Sequence, residues 1–255
     1  MHRVIAFIGV TITASVAMGA EPKAETQEQA TRRVVQAVAA KAAEIRKRPA
    51  KDRPAEDALT EAYIREAARA AGDCEASVRA GAFLIGIGIA LDDSTTLSAN
   101  PLTKKLCAAA ESAEERKARI ANLGSPTIHK RRDLCQHFAV SAALAAIFGP
   151  ALAELAGVAK EQADMNGTSG FSFADLCVDL AGIELATRLK KSPASLAEMA
   201  KEFSAKKYVP SIEGLKEGMN AEQFKKDYGN VSDARYQREL DELRKRVAAV
   251  EAYKK

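Results

Sequence analysis

One histidine and a run of carboxylates recur at helical spacing between positions 131 and 182. In RRDLCQHFAVSAALAAIFG, Asp133, His137 and Ser141 stand at i, i+4 and i+8. That spacing stacks three polar side chains on one stripe of an otherwise apolar helix, expected over residues 134–148. PALAELAGVAKEQADMNG predicts a second helix over 151–165, carrying Glu154, Lys160, Glu161 and Asp164. SGFSFADLCVDLAGIELA predicts a third over 173–188, with Asp175 and Asp179 four apart. Two chemistries suit these residue types. A divalent metal ion held by His137 with oxygens from Glu161, Asp164 and Asp179 would activate water for hydrolysis. Alternatively His137, Glu161 and Asp179 would act as general acid and base without a metal. Ser141 lies one turn from His137, but such a pair on one regular helix rarely presents an exposed nucleophile with an oxyanion hole. The chain has no H-E-x-x-H, no G-x-S-x-G and no phosphate-binding glycine loop, so no reaction is specified.

Each residue also has a structural explanation. Asp133 with Gln136, and Ser172 with Asp175, have the spacing of helix-capping boxes. Lys160 and Asp164 form an i, i+4 surface ion pair. Asp179 shares its helix with Leu176, Leu180, Ile183 and Leu185, where an unpaired carboxylate is costly, so it needs a partner. His137 is the first candidate and Glu161 the second. The connections between the three helices, GP and MNGTSG, are short, which favours antiparallel neighbours and brings the polar stripes to one surface, with Asp164 and Asp175 at its edge. A non-catalytic polar network that merely fixes helix register is therefore the competing reading.

The order D-x-x-x-H-F, then G-x-x-K-E-x-x-D, then S-G-F-S-F-x-D-L-x-x-D-x-x-G resembles the pattern of the VanZ-like proteins and the related small YfiM-like lipoproteins. The matching positions are Asp133, His137, Phe138, Gly157, Lys160, Glu161, Asp164, Ser172, Asp175, Leu176, Asp179 and Gly182. The resemblance spans about fifty residues and implies a helical polar-cluster motif in the cell envelope, without implying an activity. The chain departs from both groups in lacking their membrane spans and a lipidation cysteine after the leader.

The elements around this region set its context. A basic start (Met1-His2-Arg3), an apolar stretch over 4–16 and the small residues Ala17-Met18-Gly19-Ala20 read as a signal peptide over residues 1–19. The expected location is periplasmic or secreted. Export favours disulfides for an even set of cysteines, Cys74, Cys107, Cys135 and Cys177, which lack C-x-x-C spacing. Cys135 and Cys177 point away from their polar stripes, so each is expected to pair with Cys74 or Cys107. Residues 20–54 read as a charged helix (25–48) that is mobile or packs on a partner, followed by a proline-bearing linker. Residues 55–190 read as the helical core, with a buried, apolar helix over 75–91 capped by Asp73. Asp92 and Asp93 read as an exposed turn, and a further helix is expected over 101–122. Residues 191–255 read as a charged helical satellite, with helices capped by Ser192, Asn220 and Ser232. The fold class is all-α: a compact helical bundle core with short helical N-terminal and C-terminal appendages. With 38 basic and 34 acidic residues, a net charge of +4, no Trp and 5% aromatics, the chain lacks a concentrated basic face with stacking aromatics. Nucleic acid is thus excluded as a partner. No mature segment is long enough to span a bilayer. The basic run HKRRD at 129–133, read as a solvated loop or an anion attractor, makes an anionic envelope lipid or cell-wall fragment the substrate class to expect.

Overall fold

The computed structural model describes residues 24–167 and 169–254, so the expected signal peptide lies outside the described residues. Within them the chain forms twelve α-helices and no strand. Helix α1 (Gln27–Lys47) opens on a capping box between Thr26 and Gln29 and buries Ala30, Val34, Val38, Ala42 and Ile45. This is the Ala/Val stripe visible in the sequence, and it packs on the central helices. The first helix therefore belongs to the core. After a 3₁₀ turn in the proline-bearing break comes α2 (Glu56–Gly72), whose end is closed by Asp73. Asp73 does not open the next helix. The chain turns once more, held by reciprocal bonds between Glu25 and Glu75, and α3 (Arg79–Leu91) starts later. From Ala82 to Leu91 every residue of α3 is buried, as its uniformly apolar sequence requires.

The single helix expected over 101–122 is two: α4 (Lys104–Ala110) and α5 (Ala113–Leu123). Ser112 and Glu115 form a capping box that restarts the helix. Glu111 turns inward to a bidentate pair with buried Arg119, at 2.8 and 2.6 Å. Arg119 also donates to the carbonyls of Ala90 and Asp92, which fixes the end of α3. Asp92 is buried rather than exposed, and accepts from Ser94 and from the backbone of Leu97. Asp93 binds Gln136 and Arg132.

Then follow α6 (Arg132–Phe148), α7 (Pro150–Asp164) and α8 (Phe173–Lys191). Helix α8 is buried along nearly its whole length, packed between α6, α7 and α12. Two close approaches bring α3, α6 and α8 together. A Cβ on Gly182 would lie 2.3 Å from the carbonyl oxygen of Phe138, and one on Gly88 would lie 2.4 Å from the Cβ of Ala143. Only glycine allows these backbones to touch.

The C-terminal part comprises α9 (Ser195–Glu202), α10 (Ala205–Tyr208), α11 (Ala221–Tyr228) and α12 (Ala234–Ala248). Asn220 caps α11 as its spacing suggests, whereas Ala194 precedes α9 and Asp233 caps α12 in place of Ser192 and Ser232. The stripe Tyr236, Leu240, Leu243 and Val247 is the buried face of α12. Phe171, just before α8, and Phe173, its first residue, anchor this region: Phe171 packs tilted against Phe224 at 4.7 Å and Phe173 edge-on against Tyr228 at 5.1 Å. Phe171 and Met219 also exchange two backbone hydrogen bonds. Among the described residues no helix is long and apolar enough to cross a membrane.

The expected disulfides are not formed: Cys74, Cys107, Cys135 and Cys177 are free and buried. The Cys135 thiol lies 3.5 Å from the Thr60 hydroxyl near the start of α2, while Cys74 follows the end of that helix. Fourteen residues of helical rise separate those points by about 20 Å, far beyond bridging distance. Cys107 belongs to a separate apolar cluster with Val35, Ile85 and Leu97. Burial pushes the thiols up, Cys107 to about 11 and Cys135 and Cys177 to about 12, so they are inert as nucleophiles near neutral pH.

Candidate functional site

The polar stripes of α6, α7 and α8 meet. His137 on α6 lies between two carboxylates of α8, with Nδ1 3.0 Å from Asp179 Oδ1 and Nε2 3.4 Å from Asp175 Oδ2. Asp179 also accepts from Ser141 Oγ at 2.5 Å, so Ser141 helps hold the carboxylate rather than serving as a nucleophile beside His137. Glycine at position 157 lets α7 pass over this pair, since a Cβ there would stand 2.8 Å from Asp179 Oδ2.

Glu161, one turn further along α7, is fully buried. It accepts from the backbone N–H of Ser172 at 2.9 Å and from Lys160 Nζ at 2.9 Å. Ser172 Oγ in turn accepts from the Asp175 N–H, the cap its sequence position predicts. The Asp175 side chain is thereby free to face His137 and Arg131, the latter at 3.0 Å. Lys160 also binds Asp164 at 2.8 Å and lies 4.0 Å from Asp175. Arg131 closes the other edge, shared among Asp175, Asp133 and Glu217.

The three polar residues chosen for chemistry, His137, Glu161 and Asp179, thus converge, and Asp175 joins them. Ligand atoms of His137, Glu161 and Asp175 all lie within 4.8 Å of one another. The ligand atoms of an ion bound at 2.0–2.5 Å lie at most about 4–5 Å apart, so this group is within reach of a single cation. Asp175, expected at the edge, therefore takes the place given to Asp179. Asp179 orients the imidazole through Nδ1, as the outer carboxylate of a carboxylate–histidine pair. Asp164 is half-buried and paired with Lys160, outside the ligand group. Asp133 does not cap α6: the helix begins at Arg132, and Asp133 sits in its first turn bound to Arg131. Arg131 and Glu217 are the participants the sequence did not single out. Arg131 belongs to the HKRRD run, where consecutive basic residues hide which side chain turns inward. Glu217 lies 86 residues away, and no local pattern marks it.

Electrostatics follow from this packing. Burial opposes a charge on His137, but Asp179, through its charge and hydrogen bond, and Asp175 outweigh it and raise the imidazole to about 9. Burial raises Glu161 and Asp175, opposed by Lys160 and by His137 respectively. Lys160 is held above its ordinary value: burial works against its charge, and bonds to Asp164 and Glu161 prevail. The arrangement can hold a cation or a proton in a largely closed space, and it can lock three helices in register. A comparison with protein-family models, with characterised proteins and with solved structures returns no match, so the functional reading rests on this geometry.

Proposed function

We infer that the chain binds a divalent cation through His137, Glu161 and Asp175, and that this cation ties α6, α7 and α8 together. The carrying observation is that one nitrogen and two carboxylate oxygens from three different helices lie within 4.8 Å of one another. The charge balance favours it. Glu161, Asp164, Asp175 and Asp179 face Lys160, Arg131 and the imidazole of His137, and Arg131 is shared with Asp133 and Glu217, so carboxylates outnumber cations even with the imidazole charged. Nδ1 of His137 is committed to Asp179, which leaves Nε2 as the ligating atom. A mixed nitrogen and oxygen donor set suits Zn²⁺ or Mn²⁺ more than Ca²⁺. When bound, such an ion would act as a Lewis acid on water. The His137 side chain is only 9% exposed and that of Asp175 12%, which admits an ion more readily than a polymer or headgroup. Binding is accordingly the primary reading, ahead of hydrolysis of an anionic envelope component.

Lys160 supports a second reading. Its ammonium already sits against Glu161 and near Asp175, so the network is closed without an added ion and serves only to fix helix register. Calorimetric titration of chelator-treated protein with Mn²⁺ and Zn²⁺ separates the two. The cation reading expects one ion per chain, a raised Tm, loss of binding in His137→Ala and Asp175→Asn, and retention in Asp164→Asn. It also expects binding at least about tenfold tighter in Lys160→Gln, which removes the competing charge. No heat and no Tm change with either ion would leave the register network. The envelope location proposed with this function rests on residues 1–19 and on the motif resemblance. N-terminal sequencing of protein from a periplasmic fraction tests it, with a start beyond residue 19 expected.

A further inference from the structure

Among the described residues, one cleft is lined without a carboxylate. It lies where the start of α1, the first turns of α3, α4 and the ends of α6 and α8 meet, with a volume of about 470 Å³. Ala80, Gly81 and Ile85 of α3, Leu106 of α4, and Ala146 and Ile147 of α6 form its walls. Leu106 and Ile147 are half-buried, so each keeps apolar surface for a ligand to cover. The polar side chains that reach it are Gln27, Ser77 and Lys190. Glycine at position 81 makes room for Gln27, since a Cβ there would stand 2.4 Å from its Oε1. The Gln27 amide nitrogen is spent on Thr31, at 3.3 Å. A concave, mostly apolar space of about 300–1,000 Å³ with a few placed polar groups is the usual form of a small-molecule site.

Other clefts carry both signs of charge. Between α8 and the C-terminal turn, Lys207 pairs with Glu198 and Arg188 with Glu184. The cleft at His129 holds Asp57 and Glu251 beside Lys206 and Arg246. The cleft at Lys190 has a cation alone. Lys190 is exposed and has no carboxylate partner among the described residues. Its Nζ donates to the carbonyls of Ala145 and Ala146, at 3.4 and 2.8 Å, which anchors the ammonium at the end of α6 beside Ile147. An ammonium has three N–H donors, so one remains to be spent.

We propose that this cleft binds a medium-chain fatty acid, with its alkyl chain against Ile85, Leu106 and Ile147 and its carboxylate on Lys190. Apolar walls favour a ligand whose body is hydrocarbon, and one uncompensated ammonium favours a head with a single negative charge. The site is separate from the cluster at His137 and does not depend on the cation reading. Ten residues of helical rise along α6, about 15 Å, lie between His137 and Ile147.

The test is calorimetric titration of the full chain with octanoate, decanoate and decanol below their micelle concentrations, with Tm read alongside. Decanoate should bind once per chain and raise Tm. It should bind about tenfold more tightly than octanoate, because two further methylenes are buried. Decanol, with the same chain and no charge, should bind about threefold more weakly than decanoate or worse. Lys190→Gln should bring decanoate to the level of decanol, and Lys190→Arg should keep the difference. Ala80→Leu, at a half-buried position of the wall, should fill the cleft and weaken both ligands by about tenfold or more with the Tm of the free protein unchanged. Leu155→Gln, on α7 and outside the cleft, should bind like wild type. The proposal is overturned if decanoate at about 1 mM gives neither heat nor a rise in Tm, or if Ala80→Leu binds it as well as wild type. It is equally overturned if decanol matches decanoate on wild type, or if light scattering shows a dimer that Ala80→Leu dissociates while decanoate does not bind.

Discussion

Replacing Asp179 by Ala tests the arrangement of the cluster most directly. Asp179 is 2% exposed and accepts two hydrogen bonds, from His137 Nδ1 at 3.0 Å and Ser141 Oγ at 2.5 Å. Removing it leaves a buried imidazole and a buried hydroxyl without their acceptor. Each orphaned donor costs about 1–3 kcal/mol, and breaking a buried charged pair costs about 3–5 kcal/mol in all. These terms overlap, so a loss of about 3–5 kcal/mol is expected, a large part of a typical domain's stability. Asp179→Asn keeps the volume and one acceptor and should lose about half as much. The assay is urea denaturation followed by circular dichroism, in chelator, with the slope m compared between variants. A double-mutant cycle with His137→Ala should give a coupling of at least about 1.5 kcal/mol. The reasoning is refuted if Asp179→Ala loses under about 0.5 kcal/mol at unchanged m. It is equally refuted if the two single losses simply add.

Three further outcomes are expected. Gly182→Ala forces a methyl group to within 2.3 Å of the Phe138 carbonyl, where backbone cannot yield cheaply, so urea titration should show a loss of about 1–3 kcal/mol or more. In chelator, stability should fall as pH rises. The folded-state pKa of His137 is raised from 6.5 to about 9, so its contribution is complete below 6.5 and is lost as pH passes through 9, a change on the order of 3 kcal/mol that His137→Gln should abolish. Thiol titration under denaturing, non-reducing conditions should find four free thiols per chain; a value of two or fewer would restore the disulfide expectation.

Much of the fold is legible in the sequence because the helices are amphipathic with narrow, regular stripes. The stripe from Ala30 to Ile45 and the one from Tyr236 to Val247 both lie on buried faces. Helix ends are read less well, because several residues of capping type compete within a few positions. Ser112 and Glu115 break what periodicity alone joins, and Asp73 closes a helix where spacing suggested an opening. Convergence of His137, Glu161 and Asp179 follows from short connections and shared periodicity. The exchange of roles between Asp175 and Asp179 does not, since both carboxylates lie four apart on one face. What separates them is the ring between: Asp179 meets Nδ1 and Asp175 meets Nε2, a distinction set by the offset of α6 against α8. Cysteine pairing failed as an inference because compartment and even number say nothing of distance.

The inside-out character of α7 and the cluster beneath it have one physical origin. A helix joined by two short connections to α6 and α8 has little rotational freedom about its own axis. Once Glu161 accepts the Ser172 N–H and Gly157 sits over Asp179, the azimuth of α7 is set by polar contacts rather than by its apolar residues. Hydrophobic burial would rotate it the other way, bringing Leu152 and Leu155 inward at about 1.5–3 kcal/mol each for full burial. The folded chain forgoes that gain because rotation would strand Glu161, at a cost of several kcal/mol for an unpaired buried charge, and would replace Gly157 over Asp179 with a bulkier side chain. The exposed leucines and the polar interior are therefore two sides of one helix, and neutral replacements of the leucines should leave the geometry around His137 unchanged.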